Sequence, residues 1–203
     1  LALGMATELG DSRLAAVAAV CSPLDLALSA AEIDAPGRGI YRKYLLRSLA
    51  DIYRSVAARR AMPYPVERLR EIRLIREWDD RIVAPRHGFR DAADYYAKAS
   101  VASRLHELRV PALLFNSDSD PMIPAAAILP SLERSAPRLQ VVWARGGHVT
   151  FPRAIDAQVI AWLRNSAVEN LGQPLDSVHQ PWPGTAEAAI GVHGVDAPLA
   201  DSP

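Results

Sequence analysis

The sequence predicts an α/β chain: a parallel sheet flanked by helices and interrupted by a helical insertion. Three observations predict it. Short apolar runs of strand length, "RLAAVAAVCS", "VPALLFNSD" and "LQVVWA", alternate with stretches of helical periodicity, the pattern of parallel sheets with right-handed crossovers. A block of about eighty residues between the first two runs carries only helical signals, as an inserted subdomain does. Each run also empties into a polar or Gly/Pro loop, "CSPLDL", "NSDSDPMIP" and "RGGHVTF". Parallel sheets gather their ligands beyond the carboxyl ends of the strands, where such loops lie.

Taken in order, "LALGMATELG" reads as a helix. Leu1, Met5 and Leu9 recur at four-residue spacing and Gly10 can end it, while no capping residue precedes it. A start inside a helix is expected of part of a longer chain. "RLAAVAAVCS" suits a strand buried on both faces. "IYRKYLLRSLADIYRSV" is an amphipathic helix, with Tyr41, Tyr44, Leu45, Leu49, Ile52, Tyr53 and Val56 at three- and four-residue spacing. Pro65 is expected to open a second helix carrying Val66, Leu69 and Ile72. Asp91 suits the N-cap of "AADYYAKAS". Strands return at 110–118 and 139–144, with a helix between them expected to begin at Pro130. A last helix shows Ile155, Val159, Trp162 and Leu163 on one stripe. Beyond residue 166 the chain holds no Lys or Arg, carries five acids and is rich in Pro, Gly and Ala, so a disordered tail is expected. The implied organisation is a core at 1–27 and 110–165, an insertion at 28–109 and a tail at 166–203.

Composition narrows the function classes. The formal net charge is zero, which argues against a chain dominated by phosphate contacts, and nucleic acid is not an expected partner. The balance is uneven: residues 38–109 hold 17 Lys and Arg against 9 Asp and Glu. A solvated helical surface explains that surplus most simply. The alternative is a basic lid that makes weak contact with acidic substrates or an anionic lipid surface. The one cysteine, Cys21, excludes an intrachain disulfide and fits a reducing, cytoplasmic compartment. No run of 18 apolar residues reads as a membrane span.

Two loop residues carry the chemistry. Asp120 follows the second strand closely, and Pro121 stiffens the turn that holds its carboxylate. His148 follows Gly146 and Gly147 just past the third strand, where glycines let the backbone turn sharply and keep bulk off the imidazole. Singly, each could be a turn residue without a task. Together, past consecutive parallel strands, they can meet on one rim. A carboxylate on Nδ1 fixes the histidine tautomer and leaves Nε2 free as a base. Acid before histidine is the order of α/β-hydrolases.

Residues 11–165 resemble the carboxyl-terminal two thirds of an α/β-hydrolase, most closely the YheT-like esterases. The likeness rests on "AVCSPLDL", "IREWDDRIVAPRHGFRDAADYY", "SDSDPMIP" and "GGHVTFP". It implies an α/β-hydrolase fold with a helical cap, lacking its amino-terminal part. It also implies a small-molecule acyl ester as substrate, Asp120 as triad acid and His148 as triad base, with no metal or organic cofactor. Trp78 and Phe89 would then help line an acyl pocket, and His87 could touch substrate.

One departure from the pattern stands out. No G-x-S-x-G elbow occurs in these residues, so the nucleophilic serine is expected upstream, together with the oxyanion donors. Ser22 lacks flanking glycines, and Cys21 reads better as a buried structural thiol than as a nucleophile. The chain alone is therefore expected to be inactive. Two alternatives stay open: another hydrolase on the same fold (lipase, thioesterase or epoxide hydrolase), or a non-catalytic interaction module. Glu77, Asp79 and Asp80 sit among arginines and read as surface ion pairs. His106, His179 and His193 are too scattered for a metal site.

Overall fold

β2 (Ala112–Ser117) is buried along its whole length, as its unbroken apolar run implies for a central parallel strand. It lies between β1 (Val17–Val20) and β3 (Leu139–Ala144), both parallel to it, with Val17 opposite Ala112 and Ala112 opposite Leu139. The computed structural model describes residues 14–133, 136–148, 151, 155–172 and 189–193. The helix expected over residues 1–9 lies outside them.

The chain divides into two compact units. The first comprises Leu1–Leu24 and Val101–Pro203, the second Asp25–Ser100. In the first, strand alternation sorts the core onto two faces. Val17, Ala19, Ala112, Leu114, Leu139 and Val141 pack with Leu105, Leu108, Ile123 and Ile128 on one face. Leu113, Phe115, Val142 and Ala144 pack with Ile155 and Trp162 on the other. Each fully buried Leu, Ile or Phe contributes about 1.5–3 kcal/mol of transfer free energy. β1 departs from the expectation of burial on both faces, since Val20 is 43% exposed.

The inserted unit ends earlier than the expected residue 109. The N–H groups of Val101 and Ala102 donate to the carbonyl of Leu24 at 2.9 and 3.1 Å. Entry and exit of the insertion are thereby tied side by side. The 3-10 helix Ala102–Glu107 buries Leu105 into the sheet core. Apolar burial has drawn that helix to the sheet.

The helix before β3 also differs from expectation. It spans Ala125–Leu132 and holds Pro130 inside it. Pro124, not Pro130, stands at its start. Three alanines of high helix propensity and the burial of Ala127 and Ile128 outweigh the one hydrogen bond Pro130 cannot make. The helix Ile155–Gly172 turns the buried Ile155 and Trp162 inward, and the Trp162 indole donates to Gln140 Oε1 at 2.8 Å. It continues into the stretch expected as tail, and β4 (Ala189–His193) adds to β3 antiparallel. The rest of that stretch lies outside the described residues.

The second unit is helical: α1 (Leu26–Asp34), α2 (Gly39–Ala57), a 3-10 helix (Val66–Glu71), α3 (Ile75–Trp78), a π-turn (Asp79–Val83), α4 (Ala84–Arg86) and α5 (Ala92–Ala99). Asp91 caps α5 as its position predicts, accepting from the Asp94 N–H at 2.8 Å. Pro65 precedes a 3-10 helix rather than an α-helix. Its core joins Ala50, Tyr53, Leu69, Ile72, Trp78 and Ile82.

The acidic cluster in this unit serves the backbone and a buried hydroxyl more than arginines. Asp80 accepts from the Ala92 N–H at 3.0 Å, and Asp79 accepts from the Tyr96 hydroxyl at 2.6 Å. Glu77 accepts from the Arg73 and Leu74 N–H groups at 2.7 and 3.2 Å. Arg81 stands 3.9 Å from Glu77. Burial pushes the Asp79 carboxyl up to about 6, opposed by the Tyr96 hydroxyl and aided by the negative charge of Asp34.

Candidate active site

Because β1, β2 and β3 are parallel neighbours, the loops leaving their carboxyl ends share one rim of the sheet. Asp120 leaves β2 and His148 leaves β3. Across that rim His148 Nδ1 lies 2.8 Å from Asp120 Oδ2. The second oxygen, Oδ1, accepts from the N–H groups of Met122 at 2.7 Å and Ile123 at 2.9 Å. Asp120 is 3% exposed, so rotation of the carboxylate would break bonds that water could not replace.

The electrostatics fix the charge of the carboxylate. Burial, the largest single influence, pushes the Asp120 carboxyl up. The Ile123 N–H, His148, the Cys21 thiol and the Met122 N–H together outweigh it and hold the group below its ordinary value. Asp120 is therefore an anion at neutral pH and an acceptor only, so Nδ1 is the donor in this bond. Nε2 has no hydrogen-bond partner among the described residues. The imidazole is held through Nδ1 and has one nitrogen available.

Cys21 is the residue whose role in this cluster the sequence does not signal. It follows β1, is 4% exposed, and its N–H donates to the Phe115 carbonyl at 2.8 Å. Its φ of 45° lies in the left-handed region, rare outside glycine and costing about 1–2 kcal/mol. That twist accompanies a thiol placed on Asp120. Burial, then the hydrogen bond to Asp120 and its charge, push the thiol up to about 12, with the Ser117 backbone opposing. Cys21 is thus a buried, protonated thiol beside Asp120.

Cys21, Asp120 and His148 offer ligand atoms within 4.8 Å of one another, a spacing a divalent cation could use. The donor set does not fit one. Both Asp120 oxygens are engaged by N–H groups, and a metal would need the thiolate that burial and the carboxylate suppress.

The third loop is tied to the second. Ser117 Oγ donates to the Gly146 carbonyl, and the Asp118 N–H to the Ala144 carbonyl at 3.1 Å. A Cβ placed on Gly147 meets no atom within 4 Å outside its two chain neighbours.

The remaining site candidates belong to the second unit. Trp78 is 7% exposed and packs edge-on against Tyr53 at 6.0 Å in the core. His87 is exposed after α4, and Phe89 is half-buried against Tyr95 at 5.2 Å. Ser22, in the first unit, makes no hydrogen bond to the acid or the histidine.

No family model matches the chain. It is 31% identical over 158 residues to YheT of Escherichia coli (strain K12), an esterase by name, matching 74% of this chain and 45% of that protein. It is 27% identical over 186 residues to the medium-chain fatty acid ethyl ester synthase/esterase 2 of Saccharomyces cerevisiae, matching 80% of this chain and 41% of that protein. It is 33% identical over 91 residues to mouse phospholipase ABHD3, matching 44% of this chain and 22% of that protein. The chain thus spans less than half the length of each of these relatives.

Proposed function

Since the chain belongs to the α/β-hydrolase superfamily as a YheT-like member, we propose that it supplies the acid and the base of a carboxylic-ester hydrolase. The observation that carries this reading is the 2.8 Å contact between a buried, N–H-clamped carboxylate and Nδ1 of an imidazole whose other nitrogen is available. No G-x-S-x-G occurs in the 203 residues, so serine and oxyanion donors are proposed to come from a part of the protein beyond them.

In this mechanism His148 Nε2 removes the serine proton as the oxygen attacks the ester carbonyl. The imidazolium so formed is stabilised by Asp120, which stays ionised. It then gives that proton to the leaving alcohol. Water, deprotonated in turn by His148, attacks the acyl-serine; acid is released and the serine regains its proton. No step requires a metal or organic cofactor. The helical unit is proposed as the cap, with His87 and Phe89 meeting the acyl group. Trp78 contributes through the packing of the unit that presents them. Its basic surface is proposed to bring acyl lipids or a membrane surface near. The free thiol of Cys21 fits a cytoplasmic setting. Among the described residues no helix is long and apolar enough to cross a membrane.

The test is turnover of a chromogenic short-chain ester by the full-length protein. Asp120→Asn and His148→Ala should each lower kcat by roughly 10³–10⁴-fold with folding retained. Near-normal turnover by either variant would reject the assignment. The 203 residues alone should show no hydrolysis.

A further inference from the structure

The second unit carries a groove that the ester chemistry does not use. One wall is a stripe of α2: Gly39, Lys43, Leu46, Arg47, Ala50 and Arg54 recur at three- and four-residue spacing and so share one face. The other wall is the end of the 3-10 helix and the extended residues after it, Leu69, Arg70, Ile72 and Arg73. The groove encloses about 450 Å³, the size of a small-molecule site.

Its chemistry is divided. The floor is apolar: Ala50, Leu69 and Ile72 are the buried top of the unit's core, with Leu46 half-buried beside them. The rim is cationic. Arg42, Lys43, Arg47, Arg54, Arg70 and Arg73 line it, and no Asp or Glu does. Two of the six are engaged, Arg42 with Asp34 at 3.8 Å and Arg54 with Asp51 at 2.7 Å. Lys43, Arg47, Arg70 and Arg73 form no ion pair among the described residues and are exposed. Such a cluster of unpaired like charges repels itself, and a guanidinium fork matches a carboxylate. No Tyr, Phe or Trp lines the groove, so the stacking surface that single-stranded nucleic acids use is lacking.

We propose that this groove binds a single-chain anionic amphiphile, a medium- or long-chain fatty acid anion, with its alkyl chain on Leu46, Ala50, Leu69 and Ile72 and its carboxylate between Arg47 and Arg70. This gives the acyl-lipid contact suggested above a site and a ligand class. It rests on that reading only for the ligand's origin, since such an anion is also the acid product of ester hydrolysis. Binding is read without turnover, so failure of the groove and failure of the esterase reading are separate results.

The test is calorimetric titration of the full chain with laurate below its critical micelle concentration. Laurate should saturate one site, with affinity falling at least about tenfold in Arg47→Glu/Arg70→Glu and on raising ionic strength. Dodecanol and acetate, which lack the charge and the chain, should each bind at least about tenfold more weakly. Arg70→Gln, a milder surface change, should lower affinity several-fold, with thermal melting confirming that the variants fold. Unchanged laurate affinity in the charge-reversed protein would overturn the proposal. So would acetate binding as tightly as laurate, which marks a plain anion site. Binding to anionic vesicles without binding to monomeric laurate would replace it with a membrane-facing patch.

Discussion

His148 Nδ1 lies 2.8 Å from Asp120 Oδ2, although 28 residues separate them in the chain. The contact exists because β2 and β3 are adjacent and parallel, so residues just past their carboxyl ends fall on the same rim. Its stiffness comes from below: two backbone N–H groups and a thiol hold the carboxylate, and the carboxylate holds the ring.

The depressed Asp120 carboxyl sets an acid-side stability profile. An acid whose folded pKa is lowered contributes stability that is present above its unfolded value near 4 and disappears as pH falls through the folded value. Asp120→Ala should therefore cost about 2–3 kcal/mol at pH 7, with the loss shrinking below pH 4. Urea titrations at pH 7, 5 and 3.5 check this; a pH-independent difference would mean that the charge contributes nothing.

Cys21 should resist alkylation. Its thiol is raised from 9.0 to about 12, which lowers the thiolate fraction at pH 7.5 by roughly 1,000-fold relative to an unfolded chain. Iodoacetamide labelling followed by mass spectrometry, with and without denaturant, measures the ratio. Fast labelling of the native protein would contradict the assignment of Cys21 as a buried donor to Asp120.

Asp79 should act in the opposite sense. Its carboxyl is raised from 3.8 to about 6, so the folded chain keeps a proton that the unfolded chain loses. Stability then falls as pH rises between about 4 and 6, and the full penalty persists above 6. Asp79→Asn keeps an acceptor for the Tyr96 hydroxyl and removes that penalty. It should stabilise the protein by about 1–3 kcal/mol at pH 7.5 and by little at pH 4. Melting curves at the two pH values decide it; stabilisation equal at both would show that ionisation is not the cause.

Gly147→Ala should be tolerated. A Cβ there meets no atom within 4 Å outside its two chain neighbours, and its φ is not in the left-handed region. Ester turnover by the full-length protein should change by less than about threefold, the helix-independent cost of a methyl in open space being small. A hundredfold loss would show that the turn before His148 depends on this glycine after all.

Much of the fold could be read from local patterning. The apolar runs that became β1, β2 and β3, the amphipathic spacing of α2 and the Asp91 cap are short-range signals, because strand and helix periods and capping act within a few residues. Asp120 and His148 were legible for the same reason, each placed by its own strand end. Where apolar burial overrides local punctuation, the structure departs from the local pattern. Pro130 stands inside its helix because Ala127 and Ile128 pack on the sheet, and residues 102–107 join the sheet because Leu105 does.

What the sequence determined alone is the alternation of elements, the acid-then-histidine order and the concentration of positive charge in the inserted block. Tertiary structure decided the rest. Cys21 meets Asp120 because parallel pairing sets the end of β1 beside that of β2, a neighbour relation across about a hundred residues that no local period encodes. The cationic groove likewise arises when a helical stripe and a distant extended segment pack over one core. Side-chain chemistry is written along the chain, whereas proximity between remote segments is fixed by how their apolar faces are buried together.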